Sequence, residues 1–248
     1  MSKRDKNIWQ GIDAAAGNVV RTRDYHTASF VQELSGRGLD ASQLLAADRS
    51  KPEIRDAWIP GIEIFARKIH PQRHRGSFGE LVRREEGVLA EIGFWPKQWS
   101  SARMFAHTAK GFHVHPPSIP KNVTATEWLH RVFIDEARDY SLRRYDHEQW
   151  DVMFFLQGRA EVILCDVRAG FPRRVMRFFV DGDNHRSSNN VAIVIPPGVA
   201  HAIRAEGSDD VIMVYGTSTT FQPEFEGRIE SEIETAELPD SWREFLRL

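Results

Sequence analysis

Ile195-Pro196-Pro197-Gly198-Val199-Ala200-His201 closes one apolar segment of this chain, and Lys110-Gly111-Phe112-His113-Val114-His115 closes another about 85 positions earlier. In an extended strand, residues i and i+2 point to the same side. His113 and His115 therefore point together, and Val114 points away. His201 follows a Pro-Gly turn at the start of a further strand. Asp151, seven positions before the turn residue Gly158, opens another. Three imidazoles and a carboxylate gathered in one barrel mouth make a donor set for a divalent transition metal such as iron, zinc, manganese or nickel. Such a centre keeps positions open for water or substrate. The expected metal ligands are His113, His115, Asp151 and His201, with Glu148 as the competitor for the Asp151 position. No organic cofactor is expected.

Outward from these motifs, the chain reads as short apolar or alternating segments parted by turn residues. They cover 62–69, 78–83, 88–94, 102–115, 152–156, 160–167, 175–180, 191–195, 201–205 and 211–215. Gln157-Gly158-Arg159 and Asp181-Gly182-Asp183-Asn184 are strong turn signals between them. About ten short strands at this spacing predict a mainly β protein, a sandwich or jelly-roll barrel. An H-x-H on one strand and a P-x-G-x-x-H on a later one resemble the two-part signature of a cupin barrel.

The chain has 248 residues, enough for one large domain with extensions. A hydrophobic fraction of 41%, a charged fraction of 27% and a net charge of −2 are those of an ordinary globular protein, and they argue for neither a nucleic-acid nor a membrane partner. The local run from Arg67-Lys68 to Arg73-His74-Arg75 is basic, and reads either as a solvated loop or as a phosphate-binding rim. Cys165 is the only cysteine, inside the apolar run Val162-Ile163-Leu164-Cys165, which predicts a packing role and excludes an intrachain disulfide. Met1-Ser2-Lys3-Arg4-Asp5-Lys6 leads into no apolar core of signal-peptide length, so the expected location is cytoplasmic.

Residues 1–57 read as a helical arm, with helices over 27–34 and 41–47. Asp40 and Gln43 form the capping box of the second. The barrel domain is expected over 58–230. Within it, residues 116–150 form an insertion with a helix begun by Thr124 and Glu127 and an apolar face of Trp128, Leu129, Val132 and Phe133. An insertion placed directly after a site strand reads as a lid or an interface element. Residues 231–248 form a helical tail bearing Trp242, Phe245 and Leu246. Outside the site motifs, His26, His70, His74, His107, His130, His147 and His185 read as packed or surface residues. Tyr215 ends an apolar strand, and its phenol is either a proton donor in the barrel or a core aromatic.

Further motifs resemble one family within the cupins. Gly61-Ile62-Glu63-Ile64-Phe65-Ala66-Arg67-Lys68 and Arg75-Gly76-Ser77-Phe78-Gly79-Glu80 look like the opening of dTDP-4-dehydrorhamnose 3,5-epimerases. Lys110-Gly111-Phe112-His113, Cys165-Asp166-Val167-Arg168, Ile195 to His201, and Tyr215 followed by Phe221-Gln222-Pro223-Glu224 are similar to later motifs in the same order. The resemblance covers residues 60–230 roughly. It implies an RmlC-like cupin homodimer acting on a nucleotide-linked 4-keto sugar. His113 stands where the family has the base that removes the proton alpha to the keto group. Tyr215 stands where a tyrosine returns a proton from the other face. Arg75, Glu80 and Gln98 match positions that hold the nucleotide and its phosphates. Lys110 replaces an arginine, keeping the charge and losing the planar fork.

The chain also departs from the family's pattern. Asp151 replaces a catalytic lysine, His115 a glutamine, and Val162 a carboxylate. Thr220-Phe221 replaces two tyrosines, and the acid that orients the base has no counterpart. Losing a cation and gaining an imidazole together convert a metal-free site into a ligand set. If His113 is a ligand, the base must be another residue. The leading expectation is an epimerase or isomerase of a nucleotide-linked or related keto sugar, assisted by a metal. The alternatives are a metal-dependent cupin oxygenase or small-carbonyl isomerase, and a non-catalytic sugar-binding cupin. A shared fold cannot choose among them.

Overall fold

The computed structural model describes residues 38–115, 149–168, 171–221 and 227–228. Among these, thirteen strands form two main sheets and one hairpin. The strands are β1 (Leu39–Asp40), β2 (Glu63–Ala66), β3 (Ile69–Pro71), β4 (Ser77–Gly79), β5 (Gln98–Met104), β6 (Ala109–Val114) and β7 (Asp151–Gln157). They continue as β8 (Arg159–Asp166), β9 (Val175–Asp181), β10 (Val191–Ile195), β11 (Val199–Glu206), β12 (Val211–Thr217) and β13 (Gly227–Arg228). One sheet runs β1-β9-β8-β11-β6-β13 and the other β2-β10-β7-β12-β5, while β3 and β4 pair alone. This is the jelly-roll architecture that the turn spacing predicts.

The core lies between the two main sheets. Met153, Phe155, Val211 and Met213 of one belong to the same buried cluster as Val162, Leu164, Met176, Phe178 and Val180 of the other. The second face of β7 is buried too, which explains its unbroken apolar run. Val152 and Phe154 join Ala192 and Val194 beneath Leu89, Ile92 and Phe94. Leu89 lies in a one-turn helix, Val88–Glu91, and Ile92 and Phe94 follow it, where the sequence predicts a strand over 88–94. A short apolar run has no period that separates the two, and packing on the outer face of the sheet settles it as a helix. The predicted strand over 102–115 is two, broken by a turn at 105–108, and of 78–83 only the first two residues extend β4.

Residues 38–62 pack against the barrel. β1 pairs parallel to β9, and the following helix Ala41–Leu45 starts with the Asp40 N–H donating to Gln43 Oε1 at 2.9 Å. A second helix, Pro52–Ala57, has its proline at the start, where a missing N–H is harmless. Leu39, Leu44, Ala57, Trp58, Ile59 and Ile62 are all in the main core. The predicted helices over 27–34, in the 116–150 insertion and in the C-terminal tail lie outside the described residues.

One part-buried and one wholly buried ion pair brace this frame. Arg67 is neither a solvated loop residue nor a rim cation. Its side chain is buried and forks onto Asp183 at 2.9 and 3.0 Å, tying the β2–β3 connection to the turn after β9. Arg168 donates to Asp166 at 2.8 and 2.7 Å and to the Pro60 carbonyl at 2.9 Å, with both side chains wholly buried. Removing one member of such a pair strands a buried charge. We expect Arg168→Ala to destabilise the fold by about 3–5 kcal/mol in urea unfolding. Arg55→Ala, which breaks an exposed pair with Asp56, should leave the midpoint nearly unchanged.

Candidate active site

The two sequence motifs meet where β6 lies beside β11. His201 and His113 are direct cross-strand partners, and the register shifts by a bulge between His201 and Ile203. The Gly198 N–H donates to the His115 carbonyl at 2.7 Å, so the Pro-Pro-Gly turn is fastened to the end of the H-x-H strand. Gly111 has φ +121°, and a Cβ there would lie 2.6 Å from the His201 carbonyl oxygen and 2.7 Å from Ala202 Cα. Only glycine permits this approach, which is a physical reason for the glycine in the K-G-F-H motif.

The facing sheet supplies a polar row. Ladder pairing sets Ile195 of β10 opposite Asp151 of β7, Asp151 opposite Thr217 of β12, and Thr217 opposite Gln98 of β5. Directly paired residues share a face. The next row on that face is Ile193, Met153, Tyr215 and Ser100. Since Met153 and Ile193 lie in the core between the sheets, Asp151, Thr217, Gln98 and Tyr215 face the same interior. Tyr215 packs against that core and is half-buried.

His115, Asp151 and His201 offer donor atoms that all lie within 4.8 Å of one another. Asp151 Oδ2 is 3.5 Å from His115 Nε2 and 3.7 Å from His201 Nε2. The three side chains are only 7%, 3% and 5% exposed, respectively. Nitrogen and oxygen ligands at about 2.0–2.2 Å from a metal stand roughly 3–3.5 Å apart, and the two Asp151 separations of 3.5 and 3.7 Å lie close to that spacing. His113 is outside that group. Its ring stacks on His201, with centroids 5.9 Å apart and planes 19° from parallel. Three of the four sequence candidates for metal are thus gathered around one point, and His113 lies beside them.

Burial is the main cause that pushes the His201 pKa down, to about 4. The neighbouring Asp151 carboxylate opposes this, while His115 and His113 reinforce it. At neutral pH the His201 imidazole is therefore uncharged, the state required of a metal ligand.

The remaining candidates are dispersed. Gln98 is in the polar row, where its Oε1 accepts the Phe221 N–H at 3.0 Å and its Nε2 donates to Ser100 Oγ at 3.1 Å. Arg75 is exposed on a short 3-10 turn between β3 and β4, and Glu80, just past β4, pairs with Arg83. Lys110 is exposed on β6. Glu148, the competitor of Asp151, lies outside the described residues. Sequence reading overlooked Gln149, Thr217 and Thr219. Gln149 Nε2 donates to Asp151 Oδ1 at 3.1 Å, and Thr219 Oγ1 donates to Gln149 Oε1 at 2.9 Å. The available signal was the polar run Thr217-Ser218-Thr219 directly after an apolar strand.

No family model matches the chain. Over 168 residues it is 27% identical to the spore coat polysaccharide biosynthesis protein SpsL of Bacillus subtilis (strain 168), a match covering 67% of this chain and 84% of that protein. Among solved structures it is similar to a dTDP sugar isomerase from Desulfovibrio desulfuricans G20, with a TM-score of 0.50 and 15% identity over 71% of this chain and 87% of that one. It is equally similar, at TM-score 0.50 and 19% identity, to a double mutant of ChmJ, a 3'-monoepimerase from Streptomyces bikiniensis in complex with dTDP, over 68% of this chain and 69% of that one. The two structural likenesses show the fold, a jelly roll.

The buried His201 sets the sign of a pH dependence. Between pH 6.5 and about 4 the unfolded chain takes up a proton that folded His201 refuses. In chelator-treated protein, His201 should therefore subtract stability as pH falls from 6.5 towards about 4. Urea unfolding across that window should show a steeper loss for the wild type than for His201→Gln. Equal slopes would contradict the assignment.

Proposed function

We propose that the protein is an epimerase or isomerase of a nucleotide-linked keto sugar, with a divalent metal held by His115, Asp151 and His201. The observation that carries this reading is the gathering of His115, Asp151 and His201, with His113 stacked beside them. The metal-capable triad forms without His113, which leaves that histidine to act as base beside it. The kinds of protein the chain resembles, a sugar isomerase and a 3'-monoepimerase among structures and a polysaccharide biosynthesis protein by sequence, support the choice of substrate class.

On this reading an imidazole nitrogen of His113 takes the proton alpha to the substrate keto group. Tyr215, on the facing sheet, returns a proton to that carbon from the opposite side, and configuration inverts. A divalent ion, when bound, polarises a carbonyl oxygen, a role otherwise filled by a cationic side chain. Gln98 holds the substrate from the same row as Asp151. The roles of Arg75, Glu80 and Lys110 toward the nucleotide and its phosphates rest on the family resemblance, as does the homodimeric assembly; a cytoplasmic location suits a chain whose one cysteine is Cys165. Among the described residues, no helix is long and apolar enough to cross a membrane.

A second reading has one observation in its favour. Two histidines and one carboxylate are also the donor set of non-haem Fe(II) oxygenases. Such an enzyme would consume dioxygen with Fe(II) and show no nucleotide affinity.

The test is exchange of substrate hydrogen with deuterated solvent, using a dTDP-4-keto-6-deoxy sugar and metal-loaded protein. Wild type should incorporate deuterium at the inverted carbon. His113→Asn should slow incorporation by about 10²–10⁴-fold. Tyr215→Phe should still wash deuterium into recovered substrate while product formation falls. An absence of exchange in the wild type, with dioxygen uptake in its place, would move the assignment to the oxygenase reading.

A further inference from the structure

We infer that Gln149, oriented by Thr219, is a positioning residue that presents Asp151 to the metal through one oxygen. The inference rests on the metal reading of the triad given above. The two carboxylate oxygens of Asp151 have different neighbours. Oδ1 accepts from Gln149 Nε2 at 3.1 Å, and Oδ2 faces His115 and His201 at 3.5 and 3.7 Å. The amide of Gln149 is held in the orientation this requires. Its oxygen accepts from Thr219 Oγ1 at 2.9 Å, which turns its nitrogen toward Asp151. Thr219 is fixed in turn, because Thr217 Oγ1 donates to its carbonyl at 2.6 Å. Trp150 and Ser218 exchange two further bonds, Trp150 N to Ser218 Oγ at 2.9 Å and Ser218 N to the Trp150 carbonyl at 3.0 Å. Residues 149–151 are thereby clamped along 217–219.

The chemistry of the holder matters as much as its place. An arginine or lysine would orient a buried carboxylate equally well, but it would also neutralise the charge that attracts a cation. A glutamine amide orients without neutralising. Gln149 is only 9% exposed, so its bond to Asp151 is made away from competing water. Partners that orient a ligating carboxylate are worth about 10–100-fold in metal affinity.

Co(II) is the probe, titrated into metal-free protein in competition with a chelating dye, with thermal midpoints measured on the same metal-free samples. We expect Gln149→Leu to bind Co(II) about 10–100-fold more weakly than the wild type. Its visible bands should also change, because Oδ1 is released to turn onto the ion. Thr219→Val should weaken binding as well, and Thr219→Ser, which keeps the hydroxyl, should restore it at an unchanged midpoint. Should Gln149→Leu not fold, the Val and Ser variants at 219 decide the matter, and equal affinities would overturn the inference. Wild-type affinity and spectrum in Gln149→Leu would overturn this inference alone. A wild type that binds no Co(II) would overturn it together with the metal reading beneath it.

Discussion

The site depends on how closely β6 runs beside β11. Gly111 allows the two backbones to approach to a distance that any Cβ would forbid, and the Gly198 N–H locks the Pro-Pro-Gly turn to the carbonyl of His115. That contact brings His113 and His115 on one strand up to His201 on the next. It faces them toward the sheet that carries Asp151 and Tyr215. Without it the same histidines would be residues on separate loops. The core of Met153, Phe155, Leu164 and Met176 then holds the two sheets at a fixed separation, so the donor geometry follows from packing.

The fold was legible because turn residues and strand-length apolar runs recur along 150–215 with little ambiguity. The H-x-H and P-x-G-x-x-H motifs stated which strand ends converge. Elsewhere the signal failed for identifiable reasons. Leu89, Ile92 and Phe94 occupy a run too short to have a period, and only the outer face of β7 and β10 decides that it turns as a helix. Residues 1–57 read as a helical arm in sequence, and the two-residue parallel strand at Leu39–Asp40 that pairs with β9 leaves no pattern there.

Within the site, sequence named four candidate ligands without showing which three come together. His113 and His115 point the same way on one strand. Which of them joins Asp151 depends on their position along β6 relative to His201. His113 is paired directly with His201 and stacks on it, while His115, two residues further, comes within 3.5 Å of Asp151. A bulge and a register are properties of two strands, and neither strand alone records them. Gln149 and Thr219 escaped notice for the same reason, since their importance lies in a hydrogen-bond path linking residues about 70 positions apart. On the proposed function the outcome is a division of labour. The buried donors His115, Asp151 and His201 would hold a metal at one point, and His113 and Tyr215, drawn from the two facing sheets, would serve as base and acid.

Crystals of the protein soaked in Zn(II) and measured across the zinc absorption edge test this division most directly. We expect one anomalous peak per chain, bonded to His115 Nε2, His201 Nε2 and a single oxygen of Asp151, with the His113 ring outside bonding distance. A peak bonded to His113, or no peak at the triad, would contradict it.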